Sequence, residues 1–205
     1  MVGTRALAEA ERDPSSRSAI SPKNSPLLCT AKTISFPSSN FLVIAKKMGI
    51  EEEDLFIIEI GALLHDVGKI GVPDAILHKP GPLVVEEYQQ IQEHPQKGKK
   101  ILNNITYLAQ AIPCVLHHHE RFDGKGYPEK ISGTDIPLPG RIISVADAFD
   151  AMTSDRPYRI RMSIEQAIGE LNKNSGKQFD PKVVDAFVKI WKSGDLLQLM
   201  TSKEG

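Results

Sequence analysis

Between residues 41 and 191 the apolar side chains recur at intervals of three and four, and no run of comparable quality alternates between apolar and polar. Such spacing lays one apolar stripe along a 3.6-residue helix, so the chain is constrained to an all-α helical bundle. Phe41, Ile44, Ala45 and Met48 share a helical face that Gly49 can end. The acidic cluster 51–54 suits the positive end of the next helix dipole, and that helix is predicted to run through "LFIIEIGALLHDVG" to a stop at Gly68. Pro73, Pro80, Gly81 and Pro82 mark "KIGVPDAILHKPGPL" as a loop. Helical patterns return over 86–93, 97–102 and 107–119, with Pro113 marking a kink or a late start, before a long loop over 121–139. "RIISVADAFDAMTS" is the next helix, with Ile142, Val145, Ala146 and Phe149 at core spacing. Two more follow, one capped by Ser163 and one capped by Asp180 with Pro181 in its first position.

Residues 1–40 differ. From Pro14 to Asn40 there are eight Ser and four Pro with little periodicity, so this stretch is expected to be an irregular or disordered N-terminal segment. The helical domain is assigned to 41–195 and a short tail to 196–205. With 205 residues, 40% of them hydrophobic, one sizeable core is within reach. The formal net charge of -1 gives no reason to expect duplex nucleic acid or an anionic membrane as a partner. No stretch approaches the ~20 apolar residues of a membrane span. Cys29 and Cys114 have no CxxC spacing and make no disulfide framework, which suits a reducing cytoplasm.

The chemistry lies in the histidines. Five of the six, His65, His94, His117, His118 and His119, fall at or near predicted helix ends, where they can converge. Taken alone, His65 and Asp66 read as a solvated pair at a helix end; together with the others they suit a catalytic Mn, Fe or Zn, and the lack of paired cysteines argues against a structural thiolate zinc. His118 and His119, as neighbours on a helix, would point about 100° apart, which favours two nearby metals over one. Asp147 is polar within an apolar pattern and is placed facing this group as a bridging or terminal carboxylate; Asp150 is read as solvated. Arg156 and Arg159 flank the rigid Pro157 and could share one anion, since arginine matches phosphate with a fork of donors. Lys69 would add a further positive charge beside Asp66, and metals with cations suggest a phosphorylated substrate.

In order and separation, "HDVGKIGVPDAIL", "KPGPL", "EHP", "HHERFDGKGYP", "GRIISVADAFDAMTSDRPYR" and "FDPKVV" resemble the HD-GYP domain, a branch of the HD metal-dependent phosphohydrolases, over about residues 41–191. The resemblance implies an HD-domain helical bundle of bacterial signalling that hydrolyses cyclic di-GMP to pGpG or GMP, with GGDEF-type signalling proteins as further partners. It implies metal ligation by His65, Asp66, His94, His118, His119 and Asp147, with dinuclear iron or manganese. Asp66 and Lys69 take catalytic positions, and Gly126, Tyr127, Arg156 and Arg159 become substrate contacts. His117 is then an extra, structural histidine. Gly124 and Gly126 would let the loop turn tightly beside the metals.

Two departures from that pattern stand out. The histidine with which such domains usually open aligns near Thr33, beside Pro37, where a helix interior is disfavoured; no glutamate of residues 14–40 offers a third-metal ligand. Val84 and Val85 replace a capping Thr-Pro. The alternative function is therefore a catalytically weakened module that binds nucleotide or protein, and no input domain is visible ahead of the helices.

Overall fold

The computed structural model describes residues 38–155 and 161–194. Thr33 and Pro37, and with them the expected irregular segment up to residue 37, lie outside the described residues, as do Arg156, Pro157 and Arg159. Among the described residues the secondary structure is helical, with no β-strand and one isolated bridge between Ser175 and Phe179. The helices are α1 (Ser38–Lys47), α2 (Glu52–Leu64), α3 (Asp74–Leu77), α4 (Val85–Gln92), α5 (His94–Leu102), α6 (Ile112–His117), α7 (Leu138–Thr153), α8 (Ile164–Lys173) and α9 (Pro181–Ser193). Tighter 3-10 turns occupy Val67–Gly71, Thr106–Ala111 and Gly133–Asp135. None of these helices is long and apolar enough to cross a membrane.

The main core gathers Phe41 and Ile44 of α1, Leu55 and Ile58 of α2, Ile142, Phe149 and Met152 of α7, and Leu171, Val183 and Phe187 of α8 and α9. A smaller cluster of Leu102, Leu108 and Val115 sits on the other side of α2, packed by Ile60 and Leu64. Helix α2 is thus apolar on two faces and runs between both clusters, delivering its C-terminal end to the middle of the molecule. The expected caps are present: Ser163 Oγ accepts from the Gln166 N–H at 3.2 Å and Asp180 Oδ1 from the Lys182 N–H at 2.8 Å. Before α4 no hydroxyl is available at Val84, but Glu87 Oε2 accepts the Val84 N–H at 2.9 Å, so half of a reciprocal cap survives.

Two local expectations are corrected, and a third is resolved. Helix α2 ends at Leu64, ahead of the His65–Asp66 pair, and Gly68 lies inside the following 3-10 turn instead of stopping the helix. The cause is tertiary: a Cβ on Gly68 would fall 1.9 Å from the His94 carbonyl oxygen, so the glycine lets this turn lie directly on the first turn of α5. The predicted loop after it contains the short helix α3, too brief for periodicity to reveal. Pro113 marks a late start, entering α6 in its first turn after the 3-10 segment, where its missing N–H leaves no bond unmade.

Candidate metal centre

Three helix ends and the middle of a fourth helix meet at one spot. His65 and Asp66 follow α2, His94 opens α5, His118 and His119 follow α6, and Asp147 comes from the middle of α7. His65, His94 and His118 repeat one local device: each Nδ1–H donates to the carbonyl three residues back, Ala62 at 2.6 Å, Ile91 at 2.7 Å and Val115 at 2.9 Å. A carbonyl can only accept, so each Nδ1 carries a proton and each Nε2 is left to face the centre.

Those Nε2 atoms meet carboxylate. Asp66 Oδ1 lies 3.3 Å from His94 Nε2 and 4.0 Å from His118 Nε2, while Asp66 Oδ2 lies 3.4 Å from His65 Nε2. Asp147 Oδ1 stands 3.8 Å from His65 Nε2 on the far side. Asp66, His94, His118 and His119 each offer one ligand atom, all within 4.8 Å of one another. Lys69 Nζ donates to Asp66 Oδ2 at 2.6 Å, adding positive charge at the edge of the group.

Buried polar atoms without hydrogen-bond partners are uncommon because each forfeits its hydration. Here His65 Nε2, Asp66 Oδ1 and His119 Nε2 are buried without one, all aimed into this cluster. The imidazole and carboxylate donors, convergent and left unsatisfied, fit a divalent transition metal. The electrostatics agree. Burial, with the neighbouring imidazoles of His119, His65 and His94, holds His118 well below its ordinary value, and burial likewise holds His119 low; His94 is lowered by burial to about 4. Three imidazoles are thus kept neutral, the form that ligates. Burial opposes a charge on His65, but Asp66 and Asp147 outweigh it and raise its pKa to about 9. Burial also opposes the Asp66 charge, and His65 and Lys69 hold that carboxyl well below the usual range. Burial pushes Asp147 upward.

His118 and His119 do not diverge along a helix. Helix α6 stops at His117, and their ring centroids lie 4.1 Å apart, both serving the same ligand group. His117 points elsewhere: its Nδ1 lies 3.9 Å from Glu129 Oε2, outside the cluster, as expected of a structural residue. The sixth histidine, His78, is on the surface, donating to the Asp74 carbonyl at 3.0 Å.

The loop after His119 is tied down beside the centre. Tyr127 stacks on His119 with ring centroids 4.8 Å apart, and the Tyr127 N–H donates to the His119 carbonyl at 3.2 Å. Gly124 adopts φ +75°, while Gly126 is required by proximity: a Cβ there would lie 2.3 Å from the Arg121 nitrogen. Sequence reasoning missed Glu120. Its buried Oε1 accepts the N–H groups of Glu129 at 2.6 Å and Lys130 at 3.0 Å, clasping the loop shut. Burial raises its carboxyl, and these two donors pull the other way. The only signal was a carboxylate directly after three histidines.

A cleft of about 170 Å³ opens from His118 and His119, with Leu83, Tyr88, Arg121, Lys125, Tyr127 and Gln178 on its walls. Tyr88 and Gln178 carried no mark in the sequence, because they reach the cleft from α4 and from the turn before α9.

The chain matches the HD domain family over residues 16–183. It is 45% identical over 151 residues to a cyclic di-GMP phosphodiesterase of Thermotoga maritima, covering 73% of this chain and 41% of that protein. To 3'3'-cGAMP-specific phosphodiesterase 2 of Vibrio cholerae it is 40% identical over 152 residues, 72% of this chain and 29% of that protein. The solved cyclic GMP-AMP-specific phosphodiesterase V-cGAP3 of V. cholerae shares the fold at a TM-score of 0.63 and 21% identity, over 79% of this chain and 44% of that one. The chain spans 41% or 29% of the length of these two curated relatives.

Proposed function

The chain belongs to the HD domain family and carries the HD-GYP loop, and from that premise we propose that it is a metal-dependent phosphodiesterase hydrolysing cyclic di-GMP to pGpG or GMP. The observation that carries this reading is the convergence of Asp66, His94, His118 and His119 within 4.8 Å, with unsatisfied buried donors, beside a cleft walled by the GYP loop.

In this reading His65, Asp66, His94, His118, His119 and Asp147 would together hold a pair of divalent metals, the two oxygens of Asp66 facing different histidines. The dinuclear assignment rests on that carboxylate, in place of the helical angle between His118 and His119. Iron or manganese suits the mixed imidazole and carboxylate donors. When bound, such a pair supplies Lewis-acid charge at the phosphoryl group and makes water a usable nucleophile near neutral pH.

The chain's own residues do the positioning. Lys69, together with His65, keeps Asp66 ionised and adds positive charge where the phosphoryl oxygens would lie. The Nδ1 bonds to Ala62, Ile91 and Val115 lock the ring orientations, the outer-shell support that metal sites need. Tyr127, held over His119 by the loop that Gly126 permits, offers an aromatic face to a nucleotide in the cleft. Arg156 and Arg159 are assigned the phosphate that does not react, so that positioning and charge supply most of the rate enhancement.

The test is anaerobic purification with Fe(II) or Mn(II), metal counting, and a cyclic di-GMP hydrolysis assay on the same sample. A metal pair per chain with turnover is expected. Full loading without turnover, but with nucleotide bound, would reject the enzyme in favour of a binding module. Asp66→Ala should lose both metal and turnover while keeping the helical circular dichroism of the wild type.

A further inference from the structure

The stretch "FDPKVV" carries part of the family resemblance, yet nothing in the metal centre uses it. The turn that opens it has a place in the fold. Between α8 and α9, Phe179 is buried in the main core, and Asp180 caps α9 while pairing with Arg141 of α7, the helix that carries Asp147. The residues just before them are thereby anchored, and the loop that carries Tyr127 rests on them. The Phe122 N–H donates to the Gln178 carbonyl at 3.1 Å and the Asp123 N–H to the Lys177 carbonyl at 2.7 Å.

Arg121 fastens the same joint through its side chain. Its Nε and Nη2 donate to the two oxygens of Asp123 at 3.0 and 2.8 Å, and its Nη1 donates to Gln178 Oε1 at 3.2 Å. The Arg121 hydrogen bonds hold the Asp123 carboxyl below its ordinary value. Asp123 Oδ1 also accepts the Lys125 N–H at 3.2 Å, which turns the loop back on itself. The returning limb meets the first at Gly126, where a Cβ would lie 2.6 Å from the Glu120 Cα, and the next residue is Tyr127, stacked on His119. A planar guanidinium fixes several partners at once in a rigid fork, which an ammonium on a flexible stem does not.

We propose that Arg121 is a positioning residue for the hydrolysis: by joining Asp123 to Gln178 it seats the loop on the turn ahead of α9 and fixes where Tyr127 stands in the cleft. The inference rests on the phosphodiesterase reading above, because it requires a nucleotide against Tyr127. Arg121 also lines the cleft, so a plain charge contact with a phosphate is the rival role. Asp123 is not among the lining residues, and it separates the two roles.

The experiment measures cyclic di-GMP turnover and metal content on the full metal-loaded chain, with backbone hydrogen exchange over residues 122–127 read by mass spectrometry. It compares wild type, Arg121→Lys, Asp123→Ala and Asp123→Asn. Arg121→Lys keeps the charge and loses the fork, and Asp123→Ala removes what the fork holds. Both should raise KM about tenfold, the low end for a hydrogen bond to a charged group. Metal content and kcat should stay at the wild-type level, because Tyr127 is assigned the nucleotide and not the reacting phosphate, and exchange over 122–127 should quicken. Asp123→Asn keeps an acceptor oxygen and should recover part of the loss, which covers the case in which the alanine disturbs the fold. In a Tyr127→Ala background, Asp123→Ala should raise KM no further, since its effect runs through that ring. Wild-type KM in both Arg121→Lys and Asp123→Ala would overturn the inference in favour of a charge contact. An undiminished Asp123→Ala effect on top of Tyr127→Ala would overturn it too, and either result leaves the phosphodiesterase standing. Wild type that is loaded with metal but neither binds nor hydrolyses cyclic di-GMP would overturn both.

Discussion

Glu120 is the residue whose role is easiest to isolate, because its hydrogen bonds go to the backbone of one loop. One carboxylate oxygen accepts two backbone N–H groups of the loop that holds Tyr127 over His119. Glu120→Ala leaves both N–H groups without that acceptor and should cost about 1–3 kcal/mol in chemical denaturation. Glu120→Gln keeps one acceptor oxygen and should restore most of the loss. The same pair should separate in kinetics: the alanine variant raises KM for cyclic di-GMP by freeing Tyr127, and the glutamine variant recovers it. Cys114 tests the core instead. It is fully buried against α2, and burial pushes its thiol up to about 12. In a Cys29→Ser background it should not react with Ellman's reagent at pH 8 until denaturant unfolds the chain; rapid reaction in the native state would contradict the packing of α6 on α2.

Among the helices, the two N-caps that were readable in advance should differ in weight. Ser163 sits on the surface in a reciprocal box with Gln166, so Ser163→Ala should cost about 1 kcal/mol. Asp180 caps α9 and also pairs with Arg141 of α7 while nearly fully buried. Asp180→Ala strands that arginine, and the expected loss is about 3–5 kcal/mol by urea denaturation, against the smaller serine effect. Equal losses would mean the Arg141 pair contributes nothing. From sequence, Asp180 and Ser163 looked alike, since each is a short polar residue ahead of an apolar stripe; the partner from α7 made the difference. The end of α2 was misread for a related reason. Gly68 has the composition of a helix stop, yet its purpose is to let the turn after Asp66 touch the His94 backbone, a contact with a residue 26 positions away in the sequence.

Across the whole molecule, the candidate ligands join four elements, the end of α2, the start of α5, the end of α6 and the middle of α7. Metal bound to the native state alone stabilises it by mass action, about 2.7 kcal/mol when free metal is a hundredfold above Kd. For a chain of this size that is worth roughly 5–10 °C in Tm. Removing metal with a chelator should lower Tm by about that much and adding Mn(II) should restore it; a chelator-insensitive Tm would mean the cluster is empty in solution. The sequence by itself determined the class of the fold and the caps, because helical period and cap chemistry are local properties of residue kinds; the set of histidines and aspartates came from the resemblance of its motifs. It also separated His117 from its neighbours by motif. Only the tertiary structure decided that His118 and His119 share one ligand group, that Asp66 faces two sets of histidines, that Glu120 clasps the loop, and that Gln178 meets Arg121. Those depend on where helices stop and how closely they approach, which packing sets between residues distant in the chain and no single window of sequence contains.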